Sequence, residues 1–288
     1  MPTAPPWIRA AERTAAKAVR RLRAARGANV QASPTVLTST TGYQLAATLY
    51  RPEGTARLPA VVLCPGIDDG QAIFETLHAP VRAAEIARLG CVVATFDPAG
   101  RGASWGAEDF GGPEHQDNVC TVVEALAQRP DVHAERIGIV SISLGVSMAV
   151  GAAAGAHNPA APVAWVLDWE GPSDRDIITA GGKKMAPAMG HSLDDEVYWQ
   201  PREAVRHVGS LSCGYARLQS RVDHAQPGEL RHSQRMVEAA CAGTPAWVRL
   251  NHQPVASTPG SEVWLPPGQL SANSAILRAV RELIRTER

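Results

Sequence analysis

Ser143 lies in Ser141-Ile142-Ser143-Leu144-Gly145, between an apolar run at 136–142 and an alanine-rich helical stretch at 144–156. A serine at a tight strand-to-helix turn is equipped to act as a nucleophile. The turn lifts its hydroxyl clear of the sheet, and the N–H groups of the helix start face any negative charge that develops on a substrate. Such a turn needs small residues two before and two after the serine, because a larger Cβ would strike the adjoining strand and helix. Gly145 meets that need, and Ser141 stands where glycine is usual. The same string also suits serines that merely cap a helix. The apolar strand before it and the small-residue helix after it favour the nucleophile. A hydroxyl attacks poorly at neutral pH, so it needs a base, and the base needs an orienting carboxylate. The chain offers nine histidines.

Two further strings accompany this turn. Cys64-Pro65-Gly66-Ile67-Asp68 follows an apolar run at 59–64, and Asp97-Pro98-Ala99-Gly100-Arg101-Gly102-Ala103-Ser104 follows another at 91–96. Together with the turn at Ser143, they make residues 35–288 resemble the α/β-hydrolase superfamily, close to serine esterases of the dienelactone-hydrolase kind. The second string is similar to that family's D-x-x-G-x-G-x-S loop, and the first stands where the family often carries His-Gly-x. The resemblance implies an oxyanion hole made by the backbone N–H groups of Ile67 and Leu144. It implies the order serine, acid, histidine. Asp223, in Ser220-Arg221-Val222-Asp223-His224-Ala225-Gln226-Pro227, is then the acid, with Ser220 where the family commonly has glycine. Asp168, at the end of an earlier strand, is its rival. His252, in the loop after the last strand, is the implied base; its plain alternative is an ordinary surface-loop histidine. His224 neighbours the acid and comes early for the base. On this reading Ser143 attacks a carbonyl while His252 takes its proton, and Asp223 holds the imidazole. Water then releases the acyl-enzyme.

Specificity is the least legible part. Asp168, Glu170, Asp174, Asp194, Asp195 and Glu196 make a local excess of acid near a strand end and the stretch that follows it. They could hold a cationic group such as a peptide amine, form a Ca²⁺ site, or simply face solvent; no recognisable ligand spacing supports a metal. Asp168, Trp169, Glu170, His191 and Trp199 are the expected substrate contacts, with Trp165 and Tyr198 as further apolar wall. No cofactor and no metal are expected.

These residues need elements to position them. A hairpin is expected from extended stretches at 35–37 and 43–50, split by Thr40-Thr41-Gly42. Short apolar runs at 59–64, 91–96, 136–142 and 163–167 then alternate with helical patterns at 74–89, 116–128 and 144–156. Two more runs at 215–219 and 246–250 precede a closing helix at 271–285. Continuous apolar strands alternating with helices predict an α/β fold, a mostly parallel sheet with helices on both faces, which the resemblance implies is the α/β-hydrolase sheet. Residues 171–210 interrupt the rhythm and read as a lid insertion. Residues 1–30 read as a basic amphipathic helix ahead of the hydrolase domain at 31–288, packed on it by an alanine-rich face, with an anionic surface as the other partner for its arginines.

Composition bounds the rest. Of 288 residues, 45% are hydrophobic and 28 basic side chains offset 28 acidic ones, which argues against a surface built to grip nucleic acid or an anionic membrane. No segment reaches the roughly 18–20 apolar residues of a membrane span. Five scattered cysteines without a CxxC motif suggest a reducing cytoplasm. The expected function is hydrolysis of a carboxylic ester, lactone or thioester of a small molecule. An aminopeptidase or amidase of the same fold, and a non-catalytic binding protein of that fold, are the alternatives. A homodimer is compatible with the chain.

Overall fold

The computed structural model describes residues 29–54, 56–156, 162–180, 189–220, 223–224, 230–256 and 271–286. The expected N-terminal helix falls almost wholly outside them.

The expected α/β architecture is present: a nine-stranded, mostly parallel sheet in the order β1-β2-β4-β3-β5-β6-β7-β8-β9. β1 (Val30–Thr38) and β2 (Gln44–Pro52) form the expected antiparallel hairpin, with Thr38 opposite Gln44. Gly42 at φ +90° turns it, a conformation glycine adopts without a Cβ penalty. β2 lies antiparallel to β4 (Val92–Phe96), and β3 (Leu58–Cys64), β4, β5 (Val132–Ile142), β6 (Trp165–Trp169), β7 (Gly214–Leu218) and β8 (Val248–Leu250) run parallel. A two-residue strand, β9 (Gln253–Pro254), closes the far edge antiparallel.

The central strands are apolar on both sides because helices cover both sides. On one face, Val62, Ala94, Ile137 and Ile139 pack with α2 (Pro113–Ala127), α3 (Gly145–Ala154) and α7 (Arg231–Ala242). On the other, Val61, Leu63, Val93 and Val140 pack with α1 (Ala83–Ala87) and the closing helix α8 (Ala272–Thr286). In α8 the buried residues Ile276, Val280, Leu283 and Ile284 share one stripe while Arg278 and Glu282 face outward, the pattern expected of a helix laid on a sheet.

The single helix expected over 74–89 is not formed. A 3₁₀ turn at Gln71–Glu75 and α1 replace it. Pro80 lies between the two; it has no N–H to donate and pushes the residue before it out of helical space.

Between β6 and β7 come α4 (Arg175–Ala180), α5 (Glu196–Trp199) and α6 (Ala204–His207), with 3₁₀ turns at Gln200–Arg202 and Val208–Ser210. This segment carries no strand among the described residues. It puts Ile178, Met189 and fully buried Trp199 into a small apolar cluster with Leu144; Ile67, Phe110 and Tyr198 pack around it. Both residues expected to supply oxyanion N–H groups are thus held under the segment after β6.

Candidate active site

Ser143, with Leu144, makes the two-residue turn between β5 and α3, and stands at φ +52°. A non-glycine residue held in the left-handed region costs free energy that the surrounding structure must supply. Here the turn is clamped on both sides. The Ser143 N–H donates to the Trp169 carbonyl of β6 at 3.0 Å. Gly145 approaches the β3 exit so closely that a Cβ would meet the carbonyl oxygens of Pro65 and Cys64 at 2.5 and 2.7 Å. That contact is the physical reason for a glycine two residues after the serine.

The loop after β3 lies beside the serine: a Cβ built on Gly66 would sit 3.7 Å from the Ser143 Cβ. The backbone N–H groups of Ile67 and Leu144 donate to no acceptor among the described residues. Leu144 precedes the first turn of α3, where N–H groups lack intrahelical partners. The Gly66 carbonyl, in contrast, is gripped. The buried Arg101 guanidinium donates to it at 2.6 Å and to the Asp69 carbonyl at 3.1 Å, while its other nitrogens pair with Glu108 at 2.7 and 2.8 Å. In a trans peptide the C=O and the following N–H point opposite ways, so this grip sets the direction of the Ile67 N–H. Arg101 belongs to the loop after β4, whose shape depends on Asp97. The Asp97 carboxylate accepts the Gln71 N–H at 2.7 Å and the Ala103 N–H at 3.0 Å. The Ser104 hydroxyl donates to the Asp97 carbonyl at 2.6 Å. The two glycines and the serine of this loop were visible as a motif; the work done by Arg101 and Glu108 was not.

The structure does not bring His252 to Ser143 or Asp223. Its ring is buried against α8, with Nδ1 3.8 Å from Glu282, and its buried Nε2 has no hydrogen-bond partner among the described residues. Burial, and next the Arg278 guanidinium, hold its pKa below the usual imidazole value. The cause lies one residue earlier. Asn251 clasps the β7 exit, accepting the Gln219 N–H at 2.9 Å and donating to the Gln219 carbonyl at 3.1 Å. Asn251 and His252 both have positive φ, 48° and 72°, and the tight turn they make sends the imidazole toward α8.

Asp223 is buried. Its carboxylate accepts from Gln219 Nε2 at 2.9 Å, and His232 Nε2 and His224 Nδ1 lie 3.3 and 3.6 Å from it. Asp168, expected as a rival acid and as a substrate contact, is instead wholly buried in an ion pair with Arg217 of the adjoining strand. The Tyr215 hydroxyl and the Gly171 N–H also donate to it, at 2.8 and 2.9 Å. Arg217 is completed by the Gly171 carbonyl, Gln219 and Ser233. A charge in the middle of an apolar strand survives because every partner is supplied, and nothing in this network is left to hold a substrate.

Glu170, also expected to meet substrate, is committed to His224. It follows β6 at φ +49° and its side chain is buried. Its carboxylate accepts the His224 N–H at 3.0 Å, His224 Nδ1 at 2.9 Å and the Ser220 N–H at 3.1 Å, together with the Ser220 hydroxyl. The His224 ring stacks on Trp169 with centroids 4.5 Å apart. Trp169 therefore serves as the floor for an imidazole. His191 is exposed, stacked on Tyr198 at 3.6 Å and paired with Asp195 at 2.9 Å. Trp199 is part of the buried cluster beneath the segment after β6, without open surface to line a pocket.

Glu170, Asp223 and His224 form the one group of three among the described residues whose ligand atoms could meet a metal, all lying within 4.8 Å of one another. An ion there would have to displace the His224 Nδ1–H bond to Glu170, so the donor set suits an imidazole–carboxylate pair better than a cation. Among the described residues no helix is long and apolar enough to cross a membrane.

The family model described as X-Pro dipeptidyl-peptidase (S15 family) matches residues 41–232. Solved structures of similar fold include the Pyrococcus furiosus esterase Pf2001, 17% identical over 77% of this chain and 82% of that one, with a TM-score of 0.59. The α/β hydrolase GrgF from Penicillium sp. sh18 is 16% identical over 89% and 99%, with a TM-score of 0.60. The Pyrococcus horikoshii acylaminoacyl peptidase is 16% identical over 89% of this chain and 41% of its own, with a TM-score of 0.62. A search of curated proteins finds no match. The parallel sheet with its strand–serine–helix turn agrees with a family match that spans more than half of the sequence: the chain belongs to the X-Pro dipeptidyl-peptidase (S15) family, within the α/β-hydrolase superfamily.

Proposed function

We propose that this protein is a serine hydrolase that cleaves a carboxylic ester, lactone or thioester through an acyl-enzyme on Ser143. The observation that carries this reading is the φ +52° turn at Ser143, walled by the β3 loop and backed by α3. The free N–H groups of Ile67 and Leu144 support an oxyanion hole on either side of the attacking oxygen. As Ser143 Oγ bonds to the carbonyl carbon, the carbonyl π pair moves onto oxygen and those two N–H groups receive it. Collapse then expels the alcohol or thiol, and water reverses the sequence to free the acid.

The acidic residues of the segment after β6 bear on the choice of bond. Glu196 pairs with Arg175 and Arg206, Asp174 with Arg235, and Asp195 with His191, while Glu170 holds His224. Carboxylates neutralised in this way are poorly placed to hold a substrate amine, which favours an ester over an aminoacyl substrate. The family match supports a second reading, cleavage of an amide after an X-Pro dipeptide. A fluorophosphonate probe should label the protein at Ser143, and Ser143→Ala should abolish both labelling and turnover of p-nitrophenyl butyrate; labelling that survives the substitution sinks the assignment. Parallel assays on X-Pro anilides and simple esters then separate the two readings.

A further inference from the structure

We infer that His224, oriented by Glu170, is the general base for Ser143; the inference rests on the reading of Ser143 as nucleophile. Three observations converge on it.

The first is the path through the sheet. β5 and β6 are in register with Ile142 opposite Trp169, and the Ser143 N–H donates to the Trp169 carbonyl at 3.0 Å. Glu170 thus follows directly beside Ser143, at about the 4.8 Å spacing of neighbouring strands. The Glu170 N–H in turn donates to Leu218 of β7, so the loop leaving β7 emerges one strand further on. That loop carries His224 back over the end of β6, where its ring stacks on Trp169.

The second is the carboxylate. Glu170 takes both the backbone N–H and the ring Nδ1 of His224, at 3.0 and 2.9 Å, while Ser220 donates to its other oxygen. A buried carboxylate so placed fixes the Nδ1–H tautomer and stabilises the imidazolium formed during proton transfer. Nε2 remains as acceptor, on a ring whose side chain keeps 32% exposure, and it has no partner among the described residues. Asp223, 3.6 Å from Nδ1, adds a second negative charge behind the ring.

The third is that the competing histidine is occupied elsewhere. His252 faces α8 and Glu282, locked there by the Asn251 clasp on Gln219.

In the step itself, His224 Nε2 takes the Oγ proton as the Oγ–C bond forms. It then gives that proton to the leaving oxygen or sulfur as the C–O or C–S bond breaks. In deacylation Nε2 takes a proton from water as water bonds to the acyl carbon, and returns it to Ser143 Oγ as the acyl–Oγ bond breaks. Serine, histidine and carboxylate recur in different chain orders on different proteins because geometry defines the set.

The test compares wild type, Ser143→Ala, His224→Ala, His224→Gln and His252→Gln in the full chain. Fluorophosphonate labelling rate by intact mass and kcat/KM on p-nitrophenyl butyrate are the readouts, with near-ultraviolet circular dichroism as the check on folding. Both His224 variants should lose about 10³-fold or more in each rate, and added imidazole should restore part of the loss in His224→Ala but not in His224→Gln. His252→Gln should stay within about tenfold of wild type. A folded His224 variant that labels at the wild-type rate, or a His252→Gln loss as deep as that of His224→Ala, overturns the inference while leaving Ser143 in place. Wild type that does not label at Ser143 overturns the nucleophile itself.

Discussion

The guanidinium of Arg101 donates to the carbonyl oxygen of Gly66 at 2.6 Å, on the side of the peptide opposite the Ile67 N–H. That peptide plane cannot rotate without breaking a charge-assisted bond, and Arg101 cannot move without breaking its two-pronged pair with Glu108. Arg101 is therefore a positioning residue. Arg101→Lys keeps the charge but not the fork. It should lower kcat for p-nitrophenyl butyrate by roughly 10²-fold, near the loss of one oxyanion donor, and leave KM within a few-fold. A rise in KM at unchanged kcat would show that Arg101 shapes ground-state binding instead.

Glu170 acts through His224. Glu170→Gln keeps the size of the side chain and an acceptor oxygen for Ser220, but its amide no longer secures the Nδ1–H tautomer. The analogous loss of an orienting carboxylate in a serine triad costs about 10⁴-fold in kcat with the geometry intact. We expect a fall of 10²–10⁴-fold in kcat, with KM and the near-ultraviolet spectrum close to wild type. Equal loss of fold and activity would reduce Glu170 to a structural role.

The sheet was largely readable because its strands are short, apolar and local: the runs at 59–64, 91–96 and 136–142 match β3, β4 and the end of β5, with only Cys91 falling just before β4. The place of Ser143 at the strand-to-helix turn was readable for the same reason, since the constraint on Gly145 acts within two residues. Pro80 divides the expected helix over 74–89 into a 3₁₀ turn and α1, a break that its own residue type signals locally. The histidines were a different matter. The direction His252 faces depends on an amide clasp between Asn251 and Gln219, 32 residues apart. The meeting of Glu170 with His224 spans 54 residues and depends on the β6–β7 register. Arg217 gave no local signal either, because a charge in an apolar strand is explained only by the Asp168 beside it.

That buried pair makes a stability prediction. Arg217→Ala leaves Asp168 desolvated without its cationic partner, one of the three groups that donate to it, and breaking a buried pair in this way costs about 3–5 kcal/mol. For a domain of this size the midpoint of thermal unfolding should drop by roughly 10 °C. Asp168→Leu combined with Arg217→Met removes both charges and should recover most of the loss. Thermal melts of the two singles and the double decide it; a double variant as unstable as the sum of the singles would mean that the surrounding hydrogen bonds, not the pair, carry the stability.

His115 supplies the pH dependence. Its side chain is fully buried; Nδ1 accepts the Gly111 N–H at 3.1 Å and Nε2 faces the Ala99 carbonyl at 3.0 Å. Burial, and then the Arg101 guanidinium, push its pKa down to about 4, against an opposing pull from Glu108. The unfolded chain, with an ordinary imidazole near 6.5, binds this proton more readily than the folded one. Stability from the neutral ring is thus complete above about pH 6.5 and declines as pH falls toward 4, by a total on the order of 3 kcal/mol. His115→Asn retains an acceptor near the Nδ1 position but has no proton to gain. It should be less stable than wild type at pH 7, and the difference should shrink between pH 6.5 and 5, above the range where most carboxylates titrate. Urea unfolding at half-unit steps across that interval measures it, and parallel curves for the two proteins would show that His115 is not the group that titrates.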